Sequence, residues 1–171
     1  MGKTLILYWP AGGNVEKIAT KVYSKIQSNK ADLICLNNLT QTSFAEYDLI
    51  IAGGSTVGAE TWNNATGKNL WSKLFSQSKP SAFQGKKVAL FGLGDQILYP
   101  HNFADAMLLM KDDFEKAGAV ITGKWPTDGY IFSDSASVSG NYFIGLALDE
   151  DRQPELSEER IEKWIKTLLK N

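Results

Sequence analysis

The chain has a single cysteine and a single histidine in 171 residues. A lone Cys35 excludes an internal disulfide, and its place in the apolar run 33–36 predicts a small buried side chain. The spacing of His101, Cys35 and the acidic residues fits no zinc or calcium pattern, so we expect no metal site. Because Cys35 and His101 lie far apart in sequence, no nucleophile and base for covalent catalysis stand out.

The chain also lacks a surplus of either charge. Eighteen basic and 19 acidic side chains give a net charge of −1, which provides no long-range attraction for nucleic acid or an anionic membrane, and we expect neither as a partner. No apolar run reaches membrane-spanning length. The run Leu5–Tyr8 is too short for the apolar part of a signal peptide, so we expect a cytoplasmic protein.

Apolar segments of strand length alternate with segments of helical periodicity. The pattern predicts strands over 4–8, 32–36, 47–52, 87–91 and 119–122, and helices over 14–28, 70–76, 103–117 and 157–170. This alternation predicts an α/β fold in a single domain over 1–171, with a mostly parallel sheet and helices on both faces. A polar stretch, 124–141, precedes the apolar segment 143–148, and we interpret it as an excursion that interrupts the fifth strand.

Residues 91–103, Phe-Gly-Leu-Gly-Asp-Gln-Ile-Leu-Tyr-Pro-His-Asn-Phe, form the most informative segment. They follow a buried strand, and open α/β sheets hold ligands beyond the carboxyl ends of their strands. Gly92 and Gly94 allow backbone to approach a flat ring, and Tyr99 offers a face on which the ring can stack. We expect His101 to be exposed to solvent unless the ligand is haem, whose iron commonly takes an axial histidine.

The chain resembles a long-chain flavodoxin over nearly its whole length. The most specific segments are 89–96, 127–130 and 145–151, and the stretch 124–141 resembles the insertion of long-chain members. The resemblance implies a flavodoxin-like three-layer sandwich with five parallel strands in the order 2-1-3-4-5. It implies an FMN-binding electron-transfer protein, a carrier rather than an enzyme, whose partners are a reductase and an acceptor enzyme. We expect a monomer.

In this family three loops hold FMN, and the resemblance implies cofactor-binding residues in each. The third loop supplies Leu93, Gly94, Asp95, Tyr99 and Asn102, and Asp151 lies nearby. The second loop supplies Ser55, Thr56, Val57 and Gly58. Gly58 matches a peptide that turns with the flavin redox state, which suits a glycine because both signs of φ are open to it. Val57 stands where many long-chain members have a stacking tryptophan. Trp62 is then either an aromatic lid or a packing residue.

The first loop departs from the family, which carries a Ser/Thr-x-Thr-Gly-x-Thr type of sequence there. The aligned residues are Pro10, Ala11, Gly12, Gly13, Asn14 and Val15. The three hydroxyls are missing, and Pro10 has no N–H. Backbone N–H groups at a helix start and the Asn14 side chain remain for the phosphate, and bulky Trp9 could fill its space. Each missing hydroxyl bond costs about 0.5–1.5 kcal/mol, so we expect a weak preference for FMN over riboflavin.

This departure leaves alternatives open. One is a binding protein on the same fold whose ligand is riboflavin, another phosphate-free flavin, or a tetrapyrrole such as haem. Another is a reductase that uses a substrate over the ring face that Val57 leaves open. The near-neutral charge is a second departure, because flavodoxins are typically strongly acidic, and it predicts weak electrostatic steering of basic partners.

Overall fold

The computed structural model describes residues 2–26, 30–40, 43–55 and 69–170, and the statements below concern these ranges. The helices are α1 Asn14–Ser24, α2 Leu70–Gln77, α3 Ala106–Lys116 and α4 Pro154–Lys170. The strands of the main sheet are β1 Lys3–Tyr8, β2 Ala31–Cys35, β3 Tyr47–Ser55, β4 Lys87–Leu93, β5 Val120–Thr122 and β9 Leu146–Leu148. Three two-residue strands, β6 Trp125–Pro126, β7 Val138–Ser139 and β8 Tyr142–Phe143, lie between β5 and β9.

The main sheet is parallel throughout and runs in the order β2-β1-β3-β4-β5, with β9 also paired to β4. In register, Leu7 lies opposite Ile34 on one side and Ala52 on the other. This arrangement confirms the predicted parallel sheet and the strand order 2-1-3-4-5.

The fifth strand position is shared by two short strands. β5 pairs with residues 87–89 of β4, and β9 pairs with residues 91–93 further along the same strand. Between them the chain leaves the sheet and forms a small antiparallel sheet in the order β6-β8-β7. The predicted interruption is therefore confirmed. Only part of the apolar segment 143–148 returns to the main sheet, because Phe143 packs in an aromatic cluster with Phe103, Tyr130 and Phe132.

Alternate residues of the strands face two separate cores, which confirms the three-layer sandwich. One core lies under α1 and α4 and includes Ile6, Val15, Ile18, Trp164 and Ile165. The other lies under α2 and α3 and includes Leu5, Leu7, Trp71, Met107 and Phe114. Cys35 is buried in the first core, as its apolar run predicts.

Three helix ends differ from the prediction by three residues or more. α1 ends at Ser24 rather than at 28, although residues 27–29 lie outside the described ranges. α3 begins at Ala106 rather than at 103, because Ala104 has a φ of 56°, which is incompatible with a right-handed helix. α4 begins at Pro154 rather than at 157, and proline suits a first helical turn because its missing N–H would have no partner there. None of the described helices is both long and apolar enough to cross a bilayer.

Candidate functional site

The candidate site lies at the carboxyl ends of β1, β3 and β4. The connections from β1 and β3 leave toward opposite edges of the sheet, so the strand order reverses between these two neighbours. Open α/β sheets bind ligands at such a point, a rule of which flavodoxins are a standard instance. The first loop, 9–13, follows β1, and the third loop, 94–105, follows β4.

Asp95 holds the start of the third loop together. One carboxylate oxygen accepts hydrogen bonds from the N–H groups of Ile97 and Leu98, at 2.9 and 2.8 Å. The Arg152 guanidinium donates to both carboxylate oxygens, with its Nη2 3.0 Å from Oδ2. The Arg152 side chain, more than the two backbone bonds, lowers the pKa of Asp95. The carboxylate that we predicted to contact the flavin is thus engaged in shaping the loop, and its contact with the cofactor stays a prediction.

Gln96 connects the same loop to two distant segments. It is buried, its backbone N–H and side-chain amide both donate to Asp149 Oδ2, and its Oε1 accepts the N–H of Ile131 at 2.7 Å. Asp149 is also buried, and its other oxygen accepts the N–H groups of Asp151 and Arg152. The third loop is therefore locked to the turn before α4 and to the excursion after β6.

Tyr99 lies on this locked loop with its side chain 59% exposed. Its N–H donates to the Asp95 carbonyl, and its own carbonyl accepts the N–H of Asn102. The Asn102 side chain donates to Asp105 at 3.0 Å, and His101 is exposed. The ring is thus held on ordered backbone and available to a ligand, while its stacking role stays a prediction.

The two glycines of this segment are required by packing. A Cβ at Gly94 would lie 2.8 Å from Phe103 Cδ2 and 2.9 Å from the Ala104 nitrogen. A Cβ at Gly92 would lie 2.5 Å from Met107 Cγ. The small size of both glycines thus has a packing reason, because it lets α3 and its preceding turn pack against β4. The approach of their backbone to a flat ring stays a prediction. Leu93 is buried at the strand end.

The first loop exposes backbone instead of side chains. Ala11, Gly12, Gly13 and Asn14 are exposed, and a Cβ at either glycine would have no neighbour within 4 Å. Gly12 has a φ of +80°, which suits glycine. α1 starts without a side-chain cap on Gly13, so no cap side chain accepts from the N–H groups of its first turn, an arrangement that favours an anion.

The structure shows where the side chains of Val15 and Trp9 lie. Val15 packs in the core beneath α1 with 3% of its surface exposed, so only its backbone can serve a phosphate. Trp9 is half-buried and packs against the core under α2 and α3, and its N–H donates to the Gly53 carbonyl. The Trp9 side chain is thus partly engaged with this core, and the idea that it fills the phosphate space stays a prediction.

Sequence reasoning missed two hydrogen bonds of Glu16, which connect the first turn of α1 to the first loop and to β1. The N–H of Gly12 donates to Glu16 Oε2 at 2.6 Å, and the Tyr8 hydroxyl donates to Glu16 Oε1 at 3.0 Å. Burial, and then the bond to Glu16, raise the pKa of Tyr8 to about 12. A signal existed, because a glutamate three positions after the residue that caps a helix often reaches back to a free N–H.

The remaining predicted residues lie at the border of the described structure. Ser55 is half-buried at the end of β3, and Thr56, Val57, Gly58 and Trp62 lie outside the described residues. Asp151 is exposed next to Arg152, and its N–H donates to Asp149 at 3.1 Å.

The described residues fit FMN at both ends, but unequally. At the ring end, Tyr99 presents an exposed aromatic face on a fixed loop. At the phosphate end, open backbone at Gly12 and Gly13 precedes a helix start, which favours an anion. Among residues 10–15, only Asn14 has a side-chain donor, and the Glu16 carboxylate accepts from the Gly12 N–H.

The chain matches the family model described as flavodoxin from residue 6 to residue 164. It is 37% identical to Flavodoxin 1 of Escherichia coli over 169 residues, 98% of this chain and 93% of that protein. It is 36% identical to a flavodoxin of Synechocystis over 166 residues, 96% of this chain and 95% of that protein. A solved Fusobacterium nucleatum flavodoxin bound to flavin mononucleotide is similar with a TM-score of 0.81 and 25% identity, over 99% of this chain and 98% of that one. The chain belongs to the flavodoxin family.

Proposed function

We propose that this chain is an electron carrier that works between proteins with a noncovalently bound FMN. The observation that carries this proposal is the third loop, which presents the exposed Tyr99 ring from backbone fixed by Asp95 and Gln96. This loop lies beside the point where the strand order reverses, in a chain that belongs to the flavodoxin family. Fold alone would not decide the function, and the site supplies the argument.

At the ring end, the protein binds and orients. Bound FMN supplies the electron-transfer chemistry, and Tyr99 stacks on one face of its ring. Asn102 and the backbone of Gly94 and Asp95 line the edge of the ring. We assign the other face to the second loop, where Ser55 ends β3 and Thr56, Val57, Gly58 and Trp62 come after it in the sequence.

At the phosphate end, backbone N–H groups bind the phosphate. We assign this role to Gly13, Asn14 and Val15, because they begin α1 and the positive end of the helix dipole lies there. The Asn14 side chain, which is exposed, adds a neutral donor. Without a hydroxyl among these residues, we expect most of the binding free energy to come from the ring end.

Contact with redox partners follows from the surface around Tyr99. Ile97 and Leu98 are 54% and 62% exposed beside it, and the net charge of the chain is only −1. We therefore expect a reductase and an acceptor enzyme to recognise this edge through short-range apolar contact, with little long-range steering. We further propose one domain over 1–171, a monomer, and a cytoplasmic location.

The test is the absorption spectrum of the purified chain, followed by reduction and reoxidation without oxygen. We expect flavin bands from the start or after mixing with FMN, loss of these bands on reduction, and full recovery on reoxidation. A protein that remains colourless with FMN would contradict the proposal. A haem Soret band that disappears in His101→Ala would contradict it too, and would identify a different planar ligand.

A further inference from the structure

We propose that Arg152 raises the reduction potential of the bound flavin, because its guanidinium keeps a positive charge beside the ring end of the site. The inference rests on the proposed FMN function, which assigns the Asp95 backbone to the edge of the ring. The guanidinium donates to both carboxylate oxygens of Asp95, with Nη2 3.0 Å from Oδ2. One aspartate side chain and one hydrogen bond therefore separate this cation from the backbone that we assign to the ring edge.

Three carboxylates lie in or behind the third loop, and each is matched by a cation. The pairs are Asp95 with Arg152, Glu150 with Lys17, and Asp149 with Arg160. The first two pairs are direct, at 3.0 and 2.7 Å. The third is indirect, because Arg160 Nη1 donates to Gln153 Oε1, which also accepts from the Gln96 side chain that donates to Asp149. Arg152 is thus the cation that is held directly on a side chain of the third loop.

Reduction of the flavin makes this charge important. Full reduction adds two electrons, which the reductase supplies, and either one or two protons. With one proton the ring carries a negative charge, which a neighbouring cation stabilises, while the neutral oxidised ring responds little. Arg152 also lowers the pKa of Asp95, so both members of the pair are charged at neutral pH. Without Arg152, the Asp95 carboxylate would place a net negative charge at the ring edge and oppose reduction.

The experiment measures the two-electron midpoint potential of FMN bound to the full chain, and the dissociation constant of oxidised FMN, both without oxygen. Arg152→Gln removes the charge, and we expect reduced FMN to bind about threefold less tightly relative to oxidised FMN, a potential about 14 mV more negative. Arg152→Lys keeps the charge and should keep the potential. Lys166→Gln removes a positive charge from an exposed pair on α4 and should leave the potential unchanged. Because Arg152 is partly exposed, added salt should reduce the difference between Arg152→Gln and the unmodified chain.

The possible failures are distinguishable. An unchanged potential in Arg152→Gln would overturn the role of Arg152 and leave the proposed function standing. Weaker binding of oxidised FMN together with that unchanged potential would show that Arg152 only positions the loop. A shift as large in Arg152→Lys as in Arg152→Gln would assign the effect to geometry rather than charge, and would also overturn the inference. If the unmodified chain binds no FMN, or binds FMN that is not reversibly reduced, the proposed function fails and this inference fails with it.

Discussion

The third loop and the first loop border one ligand site, but they are held in different ways. Gln96 and Asp95 tie the third loop to Ile131, Asp149 and Arg152, which are 35 to 57 residues away in sequence. The first loop is tied chiefly by Glu16, four residues from Gly12, and by the Trp9 N–H to the Gly53 carbonyl. Long-range connections make the ring end rigid. The first loop has mainly a local contact, so we expect single substitutions there to change phosphate binding without changing the rest of the fold.

We expect the largest effect from a variant that removes the long-range hydrogen bonds of the third loop. Gln96→Ala leaves the buried Asp149 carboxylate and the Ile131 N–H short of partners, so we expect a loss of about 2–4 kcal/mol in the free energy of unfolding. Urea unfolding measures it. Gln77→Ala, at an exposed position of α2, is the control and should change stability little. An equally small effect of Gln96→Ala would show that the loop is held in another way.

The next variant tests whether Tyr99 stacks on the flavin ring. Tyr99→Ala should weaken FMN and riboflavin alike by about 1–3 kcal/mol, because the ring they share loses its stacking partner. Tyr142→Ala, in the small sheet of the excursion, is a control that should leave both affinities unchanged. Unchanged flavin affinity in Tyr99→Ala would remove Tyr99 from the site.

A third variant adds a hydrogen-bond donor for the phosphate to the first loop. Ala11→Ser restores a hydroxyl at an exposed position of the first loop, and one added hydrogen bond should tighten FMN by about 0.5–1.5 kcal/mol. Riboflavin should not respond, and calorimetric titration of both ligands provides the comparison. A response of riboflavin equal to that of FMN would mean that residue 11 does not act on the phosphate.

We expect the smallest effect on stability from loss of the ion pair between Asp95 of the third loop and Arg152. Arg152 lowers the pKa of Asp95, and a carboxyl with a lowered folded-state pKa stabilises the fold above its unfolded pKa of about 3.9. That contribution is lost as the pH falls through the folded-state value. Arg152→Gln should therefore lower the urea midpoint slightly at pH 7, and the difference should disappear in strong acid. Lys166→Gln, which breaks an exposed pair on α4, should change the midpoint less. A difference that grows on acidification would contradict this assignment.

The alternation of apolar and helical segments was sufficient to predict the sheet, because β1, β3 and β4 each contain a continuous buried apolar run. The two-residue strands of the excursion carry too short a pattern to predict. Their positions depend on aromatic contacts such as Phe103 with Phe143, which join distant parts of the chain.

The candidate site was predictable in its location and less so in its contacts. The glycines and Tyr99 after β4 indicated where a ligand would bind, but the pairing of Asp95 with Arg152 depends on tertiary structure. Val15 belonged to two patterns, the apolar stripe of α1 and the phosphate loop, and burial in the core determines the position of its side chain. Glu16 was within reach of sequence reasoning, since its spacing from the helix start is typical of a cap.

The most direct test of this account is the ratio of the FMN and riboflavin dissociation constants for the unmodified chain at neutral pH. A strong ring end and a weak phosphate end predict that both flavins bind, with FMN favoured by no more than about tenfold, or about 1.4 kcal/mol. A preference for FMN of about a thousandfold or more, which corresponds to about 4 kcal/mol, would contradict the account. Strong phosphate contacts would then exist despite the missing hydroxyls.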